Sequence, residues 1–306
     1  MIITHKISRL TFSLMILGFV LIGVTSCNND ETIKEDAIDT SIDENINKTG
    51  STILQFENTL FSVPSPYEIA FLVKEQKIDY NKEFLNPVNR SHNYVSNYKK
   101  ALNLGIYGAD LGYLNIYEQT PDAVSYFSAI KILSQELDIS NAFDNETISR
   151  IEKNMGNKDS LLYIISNAYR KADKYLKDNS RNDIGVLILT GGWIESFYII
   201  VKIAKNDKNP KILQRIGEQK HSLENLIKIL SPYNNESEEY SKLIDQLIDL
   251  AYIFDGIDVN YTYVKPDVDV ENKLTIINST SELIMTDDQL EMISEKLVSI
   301  RNNIIE

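Results

Sequence analysis

The chain has 306 residues, 43% of them hydrophobic, and its 44 acidic against 31 basic side chains give a net charge of −13. A surplus of acid repels nucleic acid and anionic lipid, which removes DNA and RNA from the expected partners. One cysteine and three histidines leave little material for disulfides, thiol catalysis or a histidine metal site, so neither a metal nor a cofactor is expected.

The elements begin with a leader. Lys6 and Arg9 precede an apolar run, Thr11 to Gly23, that is too short for a membrane span, and the small residues Thr25 and Ser26 follow it. This pattern predicts a cleaved secretory signal over residues 1–26. Cys27 then closes the run Val24-Thr25-Ser26-Cys27, which resembles the lipobox of bacterial lipoproteins. The resemblance implies cleavage before Cys27, a diacylglyceryl thioether on its sulfur and a palmitate-type acyl chain on its new amine. Several acyl chains hold a protein to a membrane where one does not. Asn28 stands where aspartate retains some lipoproteins in the inner membrane, so the resemblance also implies lipid anchoring at the outer membrane, on its periplasmic or its outer face.

Loss of the leader removes Lys6 and Arg9 and takes the net charge from −13 to −15. Residues 27–58 are expected as the lipidated N-terminus and a flexible acidic tether, with 59–306 as a helical domain. The most acidic part, Asn28 to Gly50, has no aromatic residue and cannot offset its own ordering entropy. Ser51 to Val63 is apolar again and predicts an extended lead-in.

Helix signals follow in series. Ser65-Pro66-Tyr67-Glu68 reads as a capping box opening a helix to about Gln76. Pro87 marks a loop, and helices are predicted over 91–118, with a break near Leu104, then 120–137, 145–155 and 159–176. Further helices are expected over 182–204, 209–230, 237–254 and 286–304, the last from the capping box Thr286 to Gln289. Val259 to Asn278 is rich in Val, Ile, Thr and Tyr and predicts a small extended or β segment. Long helices with short links predict an all-α, multi-helix domain of antiparallel helical hairpins; a helical solenoid is the second choice. Gly185 to Ala204 is apolar enough to cross a bilayer, but mid-segment Glu195 favours a buried central helix instead.

Candidate site residues cluster in two helices. Gly105, Gly108 and Gly112 share one helix face and predict a close helix crossing, with Gly191 and Gly192 as the partner. Asp110 lies on another face with Tyr113 and Tyr117. Tyr107, Asp110, Tyr113, Tyr117, Trp193 and Glu195 form the candidate ligand-binding set. A buried Glu195 requires a salt bridge, or else becomes a general acid; Asp110 and Glu195 together would make a glycosidase-type pair. His92 and His221 stand alone. Asp267, Asp269 and Glu271 alternate as on a solvated strand, and the calcium-loop pattern fails because Asn278 stands where its closing glutamate belongs.

The segments Ala101 to Thr120 and Leu189 to Tyr198 resemble those of uncharacterised all-helical lipoproteins of Gram-negative bacteria. That resemblance implies a helical fold and an envelope location. The expected function is a membrane-anchored lipoprotein that binds a small-molecule ligand or an envelope protein. The alternatives are an envelope hydrolase using buried carboxylates and an accessory subunit of an envelope complex.

Overall fold

The computed structural model describes residues 51–306, except 57, 58, 65, 143, 144, 271, 272 and part of 155–173. The leader, Cys27, the acidic tether, the Ser65 cap and most of the helix expected over 159–176 lie outside the described residues. The architecture is all-α with a small strand segment. Helices α1 (Pro66–Glu75), α2 (Asn97–Ile116), α3 (Thr120–Glu136), α4 (Asn145–Asn154), α5 (Asn182–Asn206), α6 (Pro210–Leu230), α7 (Glu238–Asp255) and α8 (Asp287–Ile305) follow in order.

The lead-in is more structured than an extended arm. Strands β1 (Ser51–Phe56) and β2 (Thr59–Pro64) pair antiparallel, Ser51 opposite Pro64, so the expected domain boundary at residue 59 falls inside a hairpin that packs on α6. Helix α2 starts at Asn97 rather than near residue 91, because the Ser96 side chain accepts the Lys99 amide at 3.2 Å and residues 88–92 form a 3-10 turn. It also runs unbroken through Leu104. Asn209 caps α6 as expected, Ser237 caps α7, and the Thr286–Gln289 capping box closes in both directions.

The helix ends follow another rule. Lys77, Glu118 and Asp138 sit just past α1, α2 and α3 with φ of 59°, 60° and 56°, the left-handed cap that glycine usually occupies. The residue after each donates back five positions; Gln119, for example, reaches the Leu114 carbonyl at 2.9 Å. Each such cap costs about 1 kcal/mol in a residue with a Cβ, and the packed helix ends offset it.

Helices α2 and α5 form the centre. From Ala101 to Ile116 only Gly108 is not buried, and α5 contacts α1, α2, α6 and α8. Its most apolar stretch is long enough to cross a membrane, yet 89% of that stretch is buried in the protein. The remaining long helices are amphipathic; α6 buries Ile212, Ile216, Leu223, Leu226 and Leu230 along one stripe.

The crossing itself depends on glycine. A Cβ on Gly105 would overlap the Ile188 carbonyl oxygen and lie 2.7 Å from the Gly192 nitrogen. A Cβ on Gly191 would overlap the Leu102 carbonyl oxygen. Backbone meets backbone there, which no larger residue permits.

Between α7 and α8 the chain makes a two-stranded arm. Strand β3 (Asp258–Thr262) pairs antiparallel with β6 (Thr280–Ile284), and β4 (Asp267–Asp269) with β5 (Leu274–Ile276). Leu283 docks the base of the arm against Gly217 of α6.

Candidate functional site

The glycine crossing brings Asp110 and Glu195 into one buried layer. Both are 0% exposed. Asp110 lies five residues beyond Gly105 on α2, and Glu195 four beyond Gly191 on α5.

Glu195 has a full partner. Arg301 of α8 donates Nε to Oε2 and Nη2 to Oε1, each at 2.5 Å, in a bidentate fork. The same Nη2 reaches the Phe84 carbonyl at 3.2 Å, and the Tyr198 ring stacks on the guanidinium, 4.1 Å from Cζ to the ring centre. The Glu195 carboxylate holds the Arg301 guanidinium above its ordinary range, against the opposing effect of burial.

Asp110 is less well provided. Its Oδ2 accepts the Asn86 backbone N–H at 3.2 Å, while Oδ1 has no hydrogen-bond partner. Burial first, then the neighbouring Glu195 carboxylate, drives its carboxyl well above the usual carboxylate range; Arg301 and the Asn86 amide pull the other way.

The segment over this layer is tied down by the layer itself. Tyr126 donates to the Asn86 carbonyl at 2.8 Å and Tyr107 to the Pro87 carbonyl at 3.1 Å. Asn86 Nδ2 donates to Tyr94 Oη at 3.0 Å and to Asn103 Oδ1 at 3.3 Å, and Asn103 in turn reaches the Ile304 carbonyl at 3.1 Å.

The other expected members go elsewhere. Tyr113 stacks on Tyr80 and Tyr117 lies tilted against it, with ring centres 5.6 and 5.7 Å away. They hold residues 78–81: Tyr113 Oη accepts the Asn81 N–H at 3.0 Å, and Tyr117 donates to the Ile78 carbonyl at 2.5 Å. Burial pushes the Tyr80 hydroxyl up to about 12. Trp193 does not join Glu195. Two residues along a helix turn a side chain by about 200°, so Trp193 faces α6, where its Nε1 donates to Gln219 Oε1 at 3.0 Å. The six-residue candidate set is therefore three separate clusters rather than one pocket.

Arg301, Asn86 and Asn103 complete the layer and were not expected from the sequence. A signal existed for Arg301: it sits on the apolar stripe Leu297, Ile300, Ile304, where a cation has to find an internal partner. Asn86 gave none, because it belongs to an irregular loop.

In the arm, Asp267 is exposed and accepts Asn278 Nδ2 at 2.8 Å. Among the described residues no three His, Cys, Asp or Glu side chains come together as a metal site. Comparison with protein-family models, with curated proteins and with solved structures finds no match for this chain.

Proposed function

We propose that this is a lipid-anchored envelope protein, held at the outer membrane through Cys27, that works by binding a partner protein with its β3–β6 arm. The observation that carries this reading is the exposed apolar surface of the arm. Val259, Tyr261, Tyr263, Val268, Val270 and Ile277 all lie there, with Val270 80% and Ile277 72% exposed. Apolar surface concentrated on one projecting element marks an interaction site. Both edges of a two-stranded ribbon also carry open backbone groups ready to pair with a third strand.

Charge selects the occupant. From Asp258 to Ile284 the arm carries five acidic side chains and two lysines, Lys265 and Lys273. A second copy or an anionic lipid surface meets like charge there. An extended segment of another protein, with alternating apolar and basic side chains, is complementary.

The hydrolase alternative requires Asp110 and Glu195 to be open to substrate. Full burial and the Arg301 fork on both Glu195 oxygens give it no support.

The test uses the full-length chain in detergent micelles and two peptides of equal length, one alternating Val and Lys, the other Val and Glu. The Val/Lys peptide is expected to slow amide hydrogen exchange within 258–284, and the Val/Glu peptide to leave it unchanged. Protection elsewhere, equal protection by both peptides, or self-association through the arm on sedimentation would overturn the reading. Cys27→Ser is expected to release the chain from the membrane fraction.

A further inference from the structure

We propose that Asp110 keeps a proton inside the core, shared as a hydrogen bond toward Glu195, and that this proton latches residues 84–87 to the domain.

The layer contains two acids and one cation. Arg301 spends its fork on the two oxygens of Glu195 and its remaining reach on Phe84. Asp110 receives one neutral donor and keeps Oδ1 unpaired. With both acids ionised, a sealed layer would carry a surplus negative charge and an orphaned carboxylate oxygen. Either is costly in a low-dielectric interior. A proton on Asp110 removes both faults. It cancels the surplus charge and makes the orphaned side of the carboxyl a donor toward Glu195, which lies within hydrogen-bonding reach.

Among the described residues, five charged or titratable groups interact with this pair. They are Arg301 from α8, Tyr198 from α5, Tyr107 from α2, Tyr126 from α3, and Tyr80 from the segment before α2. Burial raises all four tyrosines, so they stay neutral where a carboxyl titrates. Asp110 is therefore the member of the layer that gains and loses the proton.

Four bonds translate the proton into structure. Phe84, Asn86 and Pro87 are held by Arg301, Asp110, Tyr126 and Tyr107. Ionising Asp110 puts a second negative charge beside Glu195 and sets the two carboxylates in competition for Arg301, on whose position the Phe84 contact depends; the Asn86 amide, which favours the ionised form, opposes this only in part.

The pH dependence has a definite sign. An acid raised in the folded state holds a proton that the unfolded chain has lost, so its contribution is fully present below the unfolded value. It is lost as pH rises from there to the folded value. Denaturant unfolding of the full chain between about pH 4 and about pH 9, wild type against Asp110→Asn, isolates the effect. The variant keeps an acceptor for Asn86 and a donor for Glu195 without a titrating group. The ratio of wild-type to variant unfolding constants is expected to rise tenfold per pH unit across the window. Hydrogen exchange at the Asn86 amide is expected to gain an extra pH-dependent opening in the wild type only. Parallel stability curves would overturn the proposal. If the variant does not fold, isotope-edited infrared spectroscopy of aspartate-labelled wild type decides. A protonated-carboxyl band persisting to higher pH than in the unfolded chain supports the proposal, and its absence sinks it.

Discussion

Asp110 and Asp267 are the same residue in opposite surroundings. Asp110 lies at 0% exposure on the central helix α2, beside a second acid and a bidentate arginine. Asp267 lies exposed on β4, where Asn278 and solvent satisfy it. Around Asp110 every lost partner leaves a buried polar group behind. Around Asp267 water replaces any partner that is removed. The core around Asp110 is thus intolerant of change, whereas the arm tolerates change and presents its side chains outward.

The largest effects belong to the crossing that creates the buried layer. Gly105→Val or Gly191→Val drives a side chain into a carbonyl oxygen of the facing helix. Backbone cannot swing aside as a side chain can, so each variant is expected to lose more than about 3 kcal/mol in denaturant unfolding. Near-wild-type stability in either would mean that α2 and α5 do not meet at these glycines.

Next comes the ion pair. Glu195→Ala leaves Arg301 buried without its fork, which is expected to cost about 3–5 kcal/mol. The double variant Glu195→Met with Arg301→Met removes both charges and is expected to recover much of that loss, since apolar side chains of similar volume replace such pairs well. Additive losses in the double variant would show that the two residues do not act as a pair.

The contrast between the regions also explains what the sequence revealed. The helical class was legible because capping residues such as Asn209 and Thr286 announce where helices begin. The glycine face Gly105, Gly108 and Gly112, with Gly191 and Gly192 opposite, announced the crossing, and Gly105 and Gly191 are the members at which an added Cβ would meet the facing backbone. The ends of α1, α2 and α3 fall within two residues of where the pattern put them, but the device that closes them was not legible. Lys77, Glu118 and Asp138 occupy left-handed caps that glycine normally marks, so no stop signal stood there. The candidate set was half legible. Asp110 and Glu195 do meet, but helical phase alone could not tell that Trp193 turns to α6 or that Tyr113 and Tyr117 hold residues 78–81. The third partner, Arg301, lies more than a hundred residues from Glu195, and no local pattern pairs them.

The smallest stability effect, and the sharpest test of the contrast, lies on the arm. Val268 is 65% exposed on β4, and Thr275 stands opposite it across the ladder. Val268→Thr keeps the β-branched shape and the backbone pairing, and removes apolar surface only where water already reaches it. Its effect on unfolding is expected to stay within about 0.5 kcal/mol. An added strand would cover that side chain, so the same variant is expected to weaken protection of the arm by the Val/Lys peptide. A loss of stability comparable to that of a core variant would mean that the arm packs within the fold after all. Unchanged peptide protection at unchanged stability would mean that this face is not where a third strand binds. Only a binding loss at constant stability fits an element whose apolar side chains are kept for a partner rather than for the core.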